Sequence, residues 1–159
     1  MVRNFQKNRP RLLIISKNSE VRHDLVTLLT GYGYYVDYVD NREDGIHNYR
    51  EHKHHIVIMD VASLPSDPER MFSLFQAYKK NPVILVAAHK QQEYMVYPYM
   101  QQGVYDIVQL PLKIHYLRFI LRRLVEHSRM EAKNEFMRSF LKLLFFISPA
   151  WLTLIFILL

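Results

Sequence analysis

The sequence predicts a doubly wound α/β fold, a five-stranded parallel sheet with helices on both faces. Three short, nearly continuous apolar runs, at 11–16, 55–60 and 82–88, have the pattern of strands buried on both sides. Stretches with helical spacing separate these runs. Two further strand patterns, at 34–39 and 104–109, complete a regular strand–helix alternation, which is the mark of a parallel sheet.

Each element has a local reason. Arg11-Leu-Leu-Ile-Ile-Ser16 is the first strand, and Asn18 or Ser19 can cap the helix after it. Val21, Leu25, Leu28 and Leu29 line that helix, and Gly31-Tyr-Gly33 stops it. Tyr34 to Val39 alternates like a second strand, and Asp44 to Glu51 reads as a short helix. His55-Ile-Val-Ile-Met-Asp60 is a buried strand ending on an acid, followed by a loop from Pro65 to Pro68. Glu69 to Lys80 is helical, with Met71, Phe72, Phe75 and Tyr78 on one side. Pro82 to Ala88 is the next strand, and Gln91 to Gln102 is a helix shortened or kinked by Pro98. Val104 to Gln109 is the last strand, and Pro111 opens a long helix whose stripe is Ile114, Leu117, Ile120, Leu121 and Leu124.

Charge and apolarity are unevenly placed. The 159 residues contain no cysteine, which excludes disulfides, thiolate metal sites and a cysteine nucleophile. Gly numbers only 4, which argues against glycine-rich phosphate loops. The net charge of +6 comes from the ends: residues 1–19 hold five bases and no acid, and residues 113–159 hold eight bases against three acids. From Leu143 to Leu159 there is no charge at all. A helix from Phe140 onward would be about 30 Å long, close to the hydrocarbon thickness of a bilayer. It is apolar on all sides, with Phe140, Leu144, Phe146, Trp151, Ile155 and Leu158 facing lipid. Pro149 is tolerable there as a kink. No N-terminal stretch has the length of a signal peptide, and bases at Arg129, Lys133, Arg138 and Lys142 precede the apolar run, placing them on the cytoplasmic side. The expected organisation is a basic arm (1–10), an α/β domain (11–127), a charged helical stalk (128–139) and a transmembrane tail anchor (140–159) in the cytoplasmic membrane.

Three stretches together resemble the receiver domain of two-component response regulators, a flavodoxin-like fold: Leu12 to Arg22, Ile56-Val-Ile-Met-Asp60, and Gly103-Val-Tyr-Asp-Ile-Val-Gln-Leu-Pro111. The resemblance covers about residues 11–127. It implies that Asp60 stands at the position where active receivers accept a phosphoryl group. It also implies partners for that Asp: an acidic pair after the first strand to hold Mg²⁺, a Ser or Thr after the fourth strand, a Lys before the final Pro, and an aromatic switch residue. In this sequence those positions hold Ser16 with Lys17, Ala87, Leu110 and Ile107. Mg²⁺ needs hard oxygen ligands, and phosphoryl transfer depends on charge neutralisation, so the resemblance implies a degenerate receiver with no metal and no cofactor. Lys17 could instead pair with Asp60 in the metal position.

Other groups give weaker signals. His52, His54 and His55 read as a solvated loop rather than a metal site. Asp37, Asp40, Glu43 and Asp44 read as exposed turn acids. Tyr94, Tyr97 and Tyr99 on the fourth helix, with Arg118 and Arg122 on the fifth, are plausible partner contacts, since aromatics with a polar tip suit interfaces and the resemblance makes this the usual binding face. The expected function is a non-enzymatic, membrane-tethered interaction module: an adaptor or accessory subunit of a membrane complex, able to form a homodimer and without a small-molecule substrate. Two alternatives stand beside it, a membrane phosphorelay component using Asp60 and a basic module binding nucleic acid or anionic lipid. The absence of a DNA-binding output segment argues against transcriptional control.

Overall fold

The computed structural model describes residues 10–52, 54–78, 82–113, 115–124, 137–139 and 141–142. The chain divides into two compact units, Met1–Arg122 and Arg123–Leu159. In the first unit the elements run β1 (Arg11–Ile15), α1 (Ser19–Gly31), β2 (Tyr35–Val39), α2 (Arg42–Glu51), β3 (Ile56–Asp60), α3 (Pro68–Gln76), β4 (Val83–His89), α4 (Glu93–Gln102) and β5 (Asp106–Leu110). A helix, α5, then covers residues 115–124. Single 3₁₀ turns follow β3 (Val61–Ser63) and β4 (Lys90–Gln92). The five strands are all parallel, in the order β2-β1-β3-β4-β5.

Strand parity sorts the core into two layers. Leu13, Ile15, Val57, Met59, Ile84 and Val86 face α2, α3 and α4, where they meet Tyr49, Met71, Phe75, Val96 and Tyr99. The alternate residues Leu12, Ile14, Ile56, Ile58 and Leu85 are also fully or almost fully buried, as are Leu25 and Leu29 of α1 and Leu117, Ile120 and Leu121 of α5. This two-sided burial is why β1, β3 and β4 read as unbroken apolar runs. The layers are close enough that a β-carbon at Gly45 on α2 would strike the Ile15 side chain.

Several boundaries move for physical reasons. Asn18 is the cap of α1, its Oδ1 accepting from the amides of Glu20 and Val21. Asn41 caps α2 through the Asp44 amide, which starts that helix at Arg42 rather than Asp44. Asp67 caps α3, with Pro68 at its first position. Pro98 lies inside α4, which continues to Gln102. Pro111 begins a turn rather than a helix. Among the described residues no helix is long and apolar enough to cross a membrane. The expected spanning stretch, with Phe140, Leu144, Phe146, Trp151, Ile155 and Leu158, lies outside the described residues, as does most of the expected stalk.

Candidate functional site

In an open parallel sheet the groups that do chemistry gather beyond the carboxyl ends of the strands, where the strand order reverses. Here that point lies between β1 and β3. The last ladder pair between them is Ile15 with Met59, so the next residues, Ser16 and Asp60, stand side by side.

Asp60 is 5% exposed and Ser16 fully buried. The Ser16 hydroxyl lies 2.5 Å from Asp60 Oδ2, and the Asn18 amide donates to the same oxygen at 3.2 Å. The Ser63 amide donates to Oδ1 at 2.7 Å, which makes Asp60 the cap of the turn Val61–Ser63. Ser63 then accepts the Lys17 amide on its own hydroxyl at 3.1 Å. Arg22 reaches the Ser16 carbonyl at 2.6 Å. The carboxylate is thus held by three donors, all from its own chain. Hydrogen bonds to a charged group are the strong kind, about 1.5–3 kcal/mol each, so these three donors hold the carboxylate in one orientation.

The remaining positions supply nothing to it. Ala87 pairs with Asp60 in the β3–β4 ladder and is buried with only a methyl group to offer. Leu110 ends β5 and precedes Pro111 across a cis peptide bond. Ile107 is half-buried against the core. Lys17 is exposed and makes no ion pair with Asp60 among the described residues; Ser16, not Lys17, takes the place beside the carboxylate. Among the described residues no cluster of His, Asp and Glu could hold a metal ion.

No family model matches the sequence, and neither does any curated protein. Solved structures do match. Full-length FixJ from B. japonicum superposes with a TM-score of 0.69 at 17% identity, over 79% of this chain and 62% of that one. The signal receiver domain of an HD domain-containing protein from Pseudomonas fluorescens gives 0.68 at 17% identity, over 79% and 93%. A response regulator receiver domain protein from Clostridium thermocellum gives 0.67 at 13%, over 76% and 98%. The fold is that of a response-regulator receiver domain. At such identities the likeness concerns the fold, and the chain spans under two thirds of FixJ.

The end of the receiver fold opposite Asp60 departs from the sequence reading. His54 is not solvated: its side chain is fully buried, with Nε2 2.8 Å from Asp37 Oδ2. The same oxygen takes Arg11 Nε at 2.5 Å, so Asp37 is a bridging acid in β2 rather than an exposed turn acid. His55 accepts the Arg11 amide on Nδ1 at 3.1 Å. Burial would raise the Asp37 pKa, but hydrogen bonds from Arg11 and His54 outweigh it and hold the carboxyl below its ordinary value. Burial lowers the His54 pKa despite its bond to Asp37. Tyr49 stacks on the His54 ring at 6.2 Å, and burial pushes its hydroxyl up to about 12. The sequence pattern hid this because a run of His-Lys-His-His has no apolar parity to read.

The expected contact residues divide. Tyr94 and Tyr97 are 68% and 55% exposed on α4. Tyr99 is not a surface contact: it packs in the core, and its hydroxyl bonds to the Pro65 carbonyl. Arg118 is exposed but lies over the Tyr32 ring, 5.7 Å from its centre. Arg122 is exposed. Phe119 and Tyr116 of α5 are also open to solvent; both sit off the Leu117–Ile120–Leu121 stripe, which is the signal in the sequence that could have found them.

Proposed function

We propose that this chain is a receiver-fold interaction module that works without phosphorylation, held at the cytoplasmic face of a membrane by residues 140–159 and acting as an adaptor or accessory subunit of a membrane complex. The observation that carries the first part is the Asp60 carboxylate, already satisfied by Ser16, Asn18 and Ser63. A phosphoryl acceptor must present a free oxygen to the donor and neutralise charge as the bond forms. Here attack would first break a buried hydrogen bond, and Ala87 and Leu110 offer no donor or cation to the incoming group. The uncharged run from Leu143 to Leu159 supports the membrane part, being of a length and uniform apolarity suited to lipid. Exposed Tyr94, Tyr97, Phe119 and Arg122 support a partner-binding role for the α4 and α5 surface.

The test is incubation of the full chain with acetyl phosphate and Mg²⁺, read by intact mass. No gain is the expected result. A stoichiometric phosphoryl mass on Asp60 would overturn the proposal in favour of a phosphorelay component.

A further inference from the structure

A second surface lies away from the exposed tyrosines of α4 and touches the Asp60 site only through Arg22, one Nη of which donates to the Ser16 carbonyl at 2.6 Å. β2 is an edge strand, with β1 its one neighbour among the described residues. The Tyr35 amide and the Val39 carbonyl point inward, to Pro10 and to Ser16. By the alternation of a strand, the backbone amides and carbonyls of Val36 and Tyr38 therefore point outward, off the sheet. Such a rim is a template for another extended segment.

Beside this rim is a cavity of about 260 Å³, lined by Ser19, Arg22, His23, Val26 and Tyr38. The four α1 residues are spaced i, i+3, i+4 and i+7, so they form one face of the helix, turned towards β2. The acids of α1, Glu20 and Asp24, fall one position off that face and do not line the cavity. Its polar groups are a guanidinium, an imidazole and two hydroxyls, with no carboxylate. The volume falls short of the usual small-molecule pocket but suits one side chain.

We propose that the β2 edge binds an extended segment of a partner protein, which adds as a sixth strand against Val36 and Tyr38 and places an acidic side chain in the cavity against Arg22, His23 and Tyr38. Main-chain bonds to the edge would supply affinity, and the cavity would supply specificity for Asp or Glu. The Arg22 guanidinium in the lining favours this acidic occupant over a second copy of the chain, whose own cavity carries another Arg22.

The test uses the full chain in mild detergent with a short capped peptide of alternating Thr and Val carrying one central Glu, and its Gln counterpart. The Glu peptide should bind about tenfold more tightly, as a charge-assisted hydrogen bond is worth, and the advantage should shrink with added salt. Backbone amide shifts should centre on Val36 and Tyr38. Two variants should weaken binding independently: His23→Glu, which reverses the cavity's preference, and Val36→Pro, which removes an outward amide without touching the β1 ladder. Circular dichroism should show both variants folded. Equal binding of the two peptides, no binding of either, or shifts confined to α4 and α5 would overturn the proposal. So would the same shifts appearing on concentration without peptide, which would mean that two copies pair.

Discussion

Ser16 shows how one side chain alters what a neighbouring acid can do. Its hydroxyl sits 2.5 Å from Asp60 Oδ2 in a fully buried setting. Removing it leaves that oxygen with only the longer Asn18 bond. We expect Ser16→Ala to cost about 1.5–3 kcal/mol, the worth of a hydrogen bond to a charged group, read as a lower urea midpoint with an unchanged slope. A cost near zero would mean that Asp60 is satisfied without it. Arg11, Asp37 and His54 act at the other end of the sheet, and their titrations give a pH dependence. His54 holds its proton less tightly when folded than its ordinary value of 6.5. The folded state is therefore penalised as pH falls below that value, since the unfolded chain binds the extra proton first. Asp37 has a folded pKa below its ordinary 3.8; its contribution is present at neutral pH and is lost only as pH falls through the carboxylate range. Stability should thus decline in two stages on acidification. His54→Gln, which can still donate to Asp37, should abolish the first stage and keep the second. Parallel stability curves for wild type and variant between pH 7 and 5 would refute this assignment.

At the scale of elements, burial determined what could be read in advance. β1, β3 and β4 are covered on both faces, so their composition alone identifies them. The helix starts were legible wherever a side chain could cap, as at Asn18. The α2 start was less so, because Asn41 caps through Asp44 from a position that reads as part of a charged turn. Asp60 and its altered partners could be placed by position along the chain. The Ser16–Asp60 bond could not, since it joins residues 44 apart in sequence and depends on the β1–β3 register. Nor could Tyr99 be told from Tyr97 by residue type; only the rotation of α4 turns one inward and the other out. The α4–β5 connection carries its own prediction. Gly103 has φ of +121°, and a β-carbon there would strike the Phe72 ring. Gly103→Ala combines backbone strain with overpacking, and we expect a loss of about 2–4 kcal/mol in stability. A thermal midpoint within a degree or so of wild type would contradict that geometry.

For the whole molecule, one average conceals two unlike parts. Residues 1–139 carry all of the acids and 20 of the 21 bases, whereas residues 140–159 carry one charge, Lys142. A mean hydropathy of −0.12 is the blend of the two. If the apolar stretch spans lipid, the full chain should stay in the membrane pellet after alkaline carbonate, and removal of residues 140–159 should release it. Carbonate extraction of the full chain would refute the tail anchor and leave the receiver-fold reading intact.

The held carboxylate at the end of β3 also limits how its surroundings can change. An acid at position 16, by Ser16→Asp, would set two carboxylates against each other where a hydroxyl now donates. A cation at position 110, by Leu110→Lys, would leave Asp60 still bound by Ser16. Either single change thus costs stability or leaves the carboxylate held as before, so the hydrogen bond ties the side chain allowed at position 16 to the stability of the whole sheet.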